Sequence, residues 1–398
     1  MQFKEVIGQQ EVKNHLREMV SENRLSHALL FLAREGAGGL PLAISFAQYI
    51  MCEKVQQSFQ PAAPSLFGEE AIPAEFPADS CGECPACVKA AQLVHPDIHF
   101  SYPVITRKSG SKALSTEFIA EWRDFVKQYV YGNVFDWLQS IEAENKQGNI
   151  SADECNEISR KLSIKSFESG YKILILWMPE YLGKEGNKLL KIIEEPPANT
   201  LFLFVAENEE LILQTILSRT QLIRIPLLTA DKIQEALELR CAVPPTQARQ
   251  VATIAEGNYR EALQQVNHSA EDWIDIFRDW MSVSLRKNYA GQLKWIEEIS
   301  KMGREKQKQF LKYCNHLLGQ SIRASIIPEE LDQYTEKERD FVNRLNSVAG
   351  VAEQEALISE LDNAAYYIER NANPKMLFHA LTIKLYHIIN DKSLILVN

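Results

Sequence analysis

No stretch of the 398 residues is apolar for long enough to span a bilayer. The first residues, M-Q-F-K-E-V-I-G-Q-Q, hold no apolar core of the kind that directs secretion. The expected location is therefore the cytoplasm, with no membrane partner. Positive charge is in deficit: 43 Lys and Arg against 53 Asp and Glu leave a formal net charge of −10. That balance argues against a protein that coats nucleic acid non-specifically. An even, disulfide-forming set of cysteines is lacking too. There are seven, and three of them crowd into Cys81, Cys84 and Cys87, which points to metal rather than to a secreted disulfide framework. What is present is 45% hydrophobic and 24% charged, an ordinary globular composition with length for two or three domains.

A second kind of absence is chemical. The apolar run Leu29–Leu32 leads into Ala33–Leu40, A-R-E-G-A-G-G-L. A working phosphate loop reads G-x-x-x-x-G-K-[ST]. Gly36, Gly38 and Gly39 keep part of the backbone curl, but Gly39 stands where the lysine belongs and Leu40 where the hydroxyl belongs. The ammonium for the β/γ oxygens and the ligand for Mg²⁺ are both missing. A later apolar run, Lys172–Leu176, should end in Asp-Glu in such an ATPase, to hold the Mg²⁺ shell and polarise water. It ends in Trp177 and Met178, with Glu180 two residues further on. A scaffold without these groups is expected to serve ATPases as a partner, and to bind no ATP of its own.

Short apolar runs alternating with helical patterns predict an α/β unit with a largely parallel sheet. The expected strands are Leu29–Leu32, Ile98–Tyr102, Lys172–Trp177, Leu201–Val205 and Gln221–Ile225, with helices starting near Leu40–Pro41 and over Leu211–Leu217. Residues 53–80 are rich in Pro, Ala and Glu, lack periodicity, and read as a mobile surface insertion. Beyond Pro226 strands stop. A small helical segment is expected over 227–270 and an all-helical one over 271–398, where Trp273, Ile276, Phe277 and Trp280 fall at i, i+3, i+4, i+7. So do Phe310, Tyr313, Cys314 and Leu317, and approximately Leu357, Leu361, Ala364 and Ala365. Intramolecular core is the default reading of such stripes; an oligomer face is the other.

The cysteine cluster supplies three soft ligands, and structural Zn²⁺ takes four. Cys52 is one candidate for the fourth; His95 and His99 lie nearby. Stretching the loop before Cys81 from about eight to about 28 residues should cost roughly 1 kcal/mol, against a metal-binding term of order 10 kcal/mol, so the insertion does not exclude the site. Ser218-Arg219-Thr220, at a helix-to-strand passage, reads either as an ordinary surface cation or as a guanidinium that reaches a neighbour's phosphate.

Taken together, these residues resemble the bacterial DNA polymerase III clamp-loader family, its delta-prime-type subunits above all, over nearly the whole chain. The motifs are Ile7-Gly8-Gln9, Arg24-Leu25-Ser26-His27-Ala28, the four cysteines with His95-Pro96-Asp97, and Asn187 to Pro197. Leu217-Ser218-Arg219, Gly257 to Leu263 with Arg260, and Arg370-Asn371-Ala372-Asn373-Pro374 complete them. The family's Ser-Arg-Cys has Thr220 in its last place here. The resemblance implies an AAA+ core over 1–226 carrying a zinc module at about 52–87, a helical lid over 227–270 and a helical collar over 271–398. It further implies structural zinc on Cys52, Cys81, Cys84 and Cys87. Ser218 and Arg219 would act in trans on a neighbouring ATPase. The partners implied are gamma/tau-like and delta-like subunits in a five-membered ring, with the sliding clamp and primed DNA reached through the complex. The function expected is that of a non-hydrolysing subunit; the rival is a divergent AAA+ ATPase acting alone.

Overall fold

A computed structural model describes residues 1–58, 76–107, 110–143, 146–168, 170–267, 270–326, 336–369 and 372–392. The chain forms two compact units, Met1–Gln264 and Gln265–Asn398.

The first unit is built on five strands: β1 (Ala28–Ala33), β2 (Ile98–Ser101), β3 (Lys172–Trp177), β4 (Thr200–Ala206) and β5 (Gln221–Ile225). Their order is β2-β3-β4-β1-β5 and every pairing is parallel. A parallel sheet has helices on both faces, so its inner strands must be apolar on both. The side-chain period of two then splits each strand between two cores. Leu29, Phe31, Ile173, Ile175, Trp177, Leu201, Leu203 and Val205 pack into one; Ala28, Leu30, Leu174, Leu176, Phe202, Phe204 and Ala206 pack into the other. β5 closes the sheet as an edge, with Ile223 and Ile225 buried and Gln221, Leu222 and Arg224 exposed.

Around the sheet run α1 (Gln10–Ser21), α2 (Gly39–Met51), α3 (Glu53–Gln57), α4 (Pro85–Ala91), α5 (Ile119–Tyr129), α6 (Val134–Ser140), α7 (Ala152–Ser163), α8 (Leu190–Glu194) and α9 (Gln214–Leu217). Then come α10 (Ala230–Cys241), α11 (Pro245–Ile254) and α12 (Tyr259–Asn267), the last crossing the boundary between the units. The helix expected over Leu211–Leu217 is interrupted. Ile212 is extended (φ −94°, ψ 142°) and 4% exposed, because burying it in the sheet's second core outweighs continuing the helix. Both ends of the segment expected to be mobile over 53–80 take defined structure. Residues 53–57 form α3, with Val55 fully buried. At the other end, Tyr49 donates to the Pro77 carbonyl (2.9 Å), and Asp79 accepts from the N–H groups of Phe3 and Lys4 (2.9 Å each). Residues 59–75 lie outside the described residues.

The second unit is helical among its described residues: α13 (Ala270–Leu285), α14 (Tyr289–Lys301), α15 (Arg304–Ile326), α16 (Glu336–Val348), α17 (Val351–Glu369) and α18 (Pro374–Asn390). The apolar stripes read from the sequence mostly become its own core. Trp273, Phe277, Trp280, Phe310, Tyr313, Cys314, Leu317, Leu357, Leu361 and Ala364 are all buried, and Ile276 and Ala365 are half-buried. Trp280 and Trp295 stack at 4.9 Å with a 4° interplanar angle. Arg370 and Asn371 of the C-terminal motif lie outside the described residues. No described helix is long and apolar enough to cross a membrane.

Candidate functional site

The loop from β1 into α2 is where a nucleotide's phosphates would meet a helix N-terminus. Gly36 (φ +71°) and Gly38 (φ +99°) take the left-handed backbone that makes the curl possible. The chain itself fills the surroundings. A Cβ on Gly39 would lie 2.9 Å from the Ala33 Cβ and 3.1 Å from Val205 Cγ1, so the lysine position has no room for a side chain. Leu40 is 4% exposed and belongs to the core. The Tyr131 ring faces Gly38, and its hydroxyl accepts the N–H of Ile7 at 2.9 Å. Gln9 donates to the carbonyls of Ala37 (3.0 Å) and Pro226 (2.7 Å). The cleft that remains, between Gly36–Pro41, Val130–Gly132 and Trp177–Met178, holds about 20 Å³, roughly space for one water.

The end of β3 is equally occupied. Trp177 packs on Trp122 (centroids 5.2 Å) and Phe125 (5.9 Å). Trp122 in turn stacks on Tyr102 at 3.9 Å and meets Trp137 edge-on at 5.2 Å. Met178 has φ +60°, an unusual backbone for a non-glycine residue. Glu180 turns away to the end of β4, where one carboxylate oxygen accepts the N–H groups of Glu207 (2.6 Å) and Asn208 (2.9 Å). Burial raises its pKa, and these N–H donors oppose that.

Arg260, at the start of α12, is 5% exposed. Its guanidinium forks onto Asp136 (Nε to Oδ2 2.5 Å, Nη2 to Oδ1 2.7 Å) and reaches Glu35 Oε1 at 3.1 Å.

Arg219 sits in the turn between α9 and β5, about one third exposed. Nε donates to Glu194 Oε1 at 2.5 Å, and Nη1 donates to the Thr215 carbonyl (2.8 Å) and to Ser218 Oγ (3.1 Å). Ser218 thus steadies the guanidinium, and a surface carboxylate holds it.

The four cysteines converge. The Sγ atoms of Cys52, Cys81, Cys84 and Cys87 all lie within 4.8 Å of one another. Cys52 ends α2, and Cys84 caps α4, with Pro85 as its first residue. Gly82 (φ +75°) turns the chain between Cys81 and Cys84. Backbone N–H groups aim at sulfur: Cys81 N at Cys52 Sγ (3.3 Å), Cys84 N at Cys81 Sγ (3.3 Å) and Cys87 N at Cys84 Sγ (3.4 Å). A hydrogen bond from Cys87, joined by the Cys81 and Val55 N–H groups, lowers the pKa of the Cys52 thiol against the burial that raises it. This four-cysteine group can bind a metal ion. His95 and His99 stand outside it; His95 Nδ1 instead accepts the Asp97 N–H at 3.2 Å.

Residues 8–229 match the family described as DNA polymerase III, delta subunit. The chain belongs to this clamp-loader family. Among curated relatives, the Bacillus subtilis DNA polymerase III subunit delta' is 23% identical over 286 residues, 71% of this chain and 67% of that protein. The Bacillus subtilis subunit tau is 24% identical over 284 residues, 69% of this chain but 39% of its own length. The Escherichia coli subunit tau is 26% identical over 266 residues, 66% of this chain and 32% of tau. A solved gamma-subunit-related protein from Thermotoga maritima aligns over 96% of this chain and 99% of its own, at 13% identity and a TM-score of 0.37. The Bacillus subtilis clamp loader delta protein aligns over 94% and 99%, at 10% identity and a TM-score of 0.30. A parallel α/β module followed by a long run of helices fits the family.

Three participants escaped the sequence. Glu194 lies in the Asn187–Pro197 motif, and nothing in that motif pairs it with Arg219. Glu35 carries an unused signal: an acid within a phosphate-loop pattern is out of place where an anion should bind. Asp136, 124 residues from Arg260, gave no signal beyond the N-x-x-D capping box with Asn133.

Proposed function

We propose that this chain is a non-hydrolysing subunit of a bacterial replicative clamp loader that places Arg219 in a neighbouring subunit's ATP site. The observation that carries the reading is the closed phosphate loop. Gly39 has no space for the lysine it replaces, and Trp177, in the position of an Mg²⁺-binding acid, is committed to an aromatic core. Arg219 supports the trans role: it is partly exposed, already charged, and held by a surface carboxylate that a phosphate can displace. Such fingers supply roughly 10³ to 10⁵ in rate by stabilising transition-state charge. Gamma/tau-like and delta-like subunits are the proposed neighbours in a five-membered ring, which would load a sliding clamp on primed DNA. Tyr289, Leu293, Met376 and Ile383 are exposed on α14 and α18 and offer apolar surface for ring contacts.

We assign one Zn²⁺ to Cys52, Cys81, Cys84 and Cys87. Tetrahedral Zn–S bonds of about 2.3 Å place sulfurs about 3.8 Å apart, and Cys81 Sγ lies 3.9 Å from Cys87 Sγ. Four thiolates leave no open position, so the ion would tie the end of α2 to the Cys81 turn and α4 and do no chemistry.

The rival, a divergent ATPase acting alone, predicts turnover by the isolated chain. Steady-state ATPase of the purified protein decides between them. The proposal expects none above a sham preparation; turnover that co-purifies with the chain overturns it.

A further inference from the structure

Arg260 is a buried cation beside a phosphate loop, yet its partners are protein carboxylates. Three segments distant in sequence meet on it. From the loop, Glu35 accepts Arg260 Nη1 (3.1 Å) and Asn258 Nδ2 (3.0 Å) on one oxygen and Asn133 Nδ2 (2.9 Å) on the other. From the start of α6, Asp136 takes the fork of the guanidinium and also accepts the Asn133 N–H at 3.1 Å. From the first residue of α12, the Tyr259 N–H donates to the Gly36 carbonyl at 3.3 Å. Tyr131 and Tyr259 meet edge to face at 5.0 Å on the flank of the cluster. A Cβ on Gly36 would lie 1.9 Å from Asn258 Oδ1, so the loop is pressed against the turn that leads into α12 and Arg260.

A glycine-rich curl at a helix N-terminus with an arginine at hand is an arrangement that ordinarily takes a polyphosphate. Here two carboxylates fork and bridge the guanidinium instead, and a buried ion pair cannot lose one partner without leaving an uncompensated charge. We propose that Glu35 and Asp136 are built-in substitutes for a polyphosphate ligand, and that with Arg260 they clasp helices α10–α12 to the sheet in the absence of any nucleotide. The helices would then hold one position through every stage of a neighbour's ATP cycle. The clasp goes beyond the trans role of Arg219 and stands or falls separately from it.

Hydrogen exchange on the full chain tests the clasp through the amides of residues 230–264, with the sheet amides as an internal reference. In the unaltered protein these amides are expected to be protected, and 1 mM Mg-ATP is expected to change nothing. A threefold or larger gain in protection with Mg-ATP overturns the proposal. Arg260→Met should speed exchange in 230–264 at least tenfold and leave the sheet amides unchanged; unaltered exchange in that variant also overturns it. Glu35→Gln should loosen the same helices at least threefold, because the isostere keeps the packing and removes the charge that pairs with Arg260. A Glu35→Gln protein whose helices exchange as in the unaltered chain would show that the carboxylates are packing groups rather than substitutes for phosphate.

Discussion

Gly39 and Arg219 are the two residues on which the functional reading turns, and they differ in what surrounds them. Gly39 is enclosed on the sheet side by Ala33 and Val205. Lysine there must push its Cβ into contacts shorter than real ones, and overpacking of this kind costs about 1–3 kcal/mol. Gly39→Lys should therefore lower the midpoint of thermal unfolding by several degrees, and with Leu40→Thr added it should still gain no ATPase. Calorimetry and a phosphate-release assay on the pair check this; a stable, ATP-hydrolysing double variant would refute the closed-loop account. Arg219 is the opposite case. Its pair with Glu194 is a surface pair, of the sort worth about 0–1 kcal/mol, so its loss should spare the fold.

At the level of elements, β1, β3 and β4 were the most legible, because strands buried on both faces write near-continuous apolar runs. β3 and β5 fall on the residues read from sequence, and β1, β2 and β4 differ by a residue or so at their ends. The break before α9 was not legible, because Ile212 and Leu213 fit a helical stripe as well as an extended segment, and only the sheet's second core decides between them. The spacing of Cys81, Cys84 and Cys87 pointed to a metal site; it could not say that Cys52, separated from Cys81 by the insertion, would end α2 beside them. That convergence depends on the N-terminal residues, where Asp79 and Ser80 are bound to residues 2–4 and the Met1 amine donates to Gln48. Metal should therefore stabilise more than the knuckle itself. The purified chain is expected to carry about one zinc. Removal by a strong chelator, or Cys81→Ser, should lower its melting temperature and expose residues 1–5 and 76–91 to proteolysis. Unchanged metal content and melting in Cys81→Ser would show that the cysteines are only buried thiols.

For the whole molecule, the division into Met1–Gln264 and Gln265–Asn398 gives each unit its own core. The stripes that the sequence left open between core and oligomer face are mostly interior to the second unit. Any ring contact it makes must then use the residues left outside, such as Tyr289, Leu293, Met376 and Ile383. A fragment ending after Asn267, at the close of α12, should fold with its zinc and its clasp intact yet fail to co-elute with gamma/tau-like and delta-like partners on gel filtration. Co-elution of that fragment at the full chain's stoichiometry would remove the second unit from the assembly. The central claim, that this chain completes a neighbour's catalytic site without one of its own, is tested most directly in the assembled ring. The measurement is steady-state ATPase with clamp and primed DNA, comparing the unaltered chain with Arg219→Ala and Arg219→Lys. The account predicts intact assembly, a partial but clear fall in turnover for alanine because other sites in the ring keep their own arginines, and incomplete rescue by lysine, which lacks the planar fork. Turnover unchanged by Arg219→Ala in a fully assembled ring would contradict it.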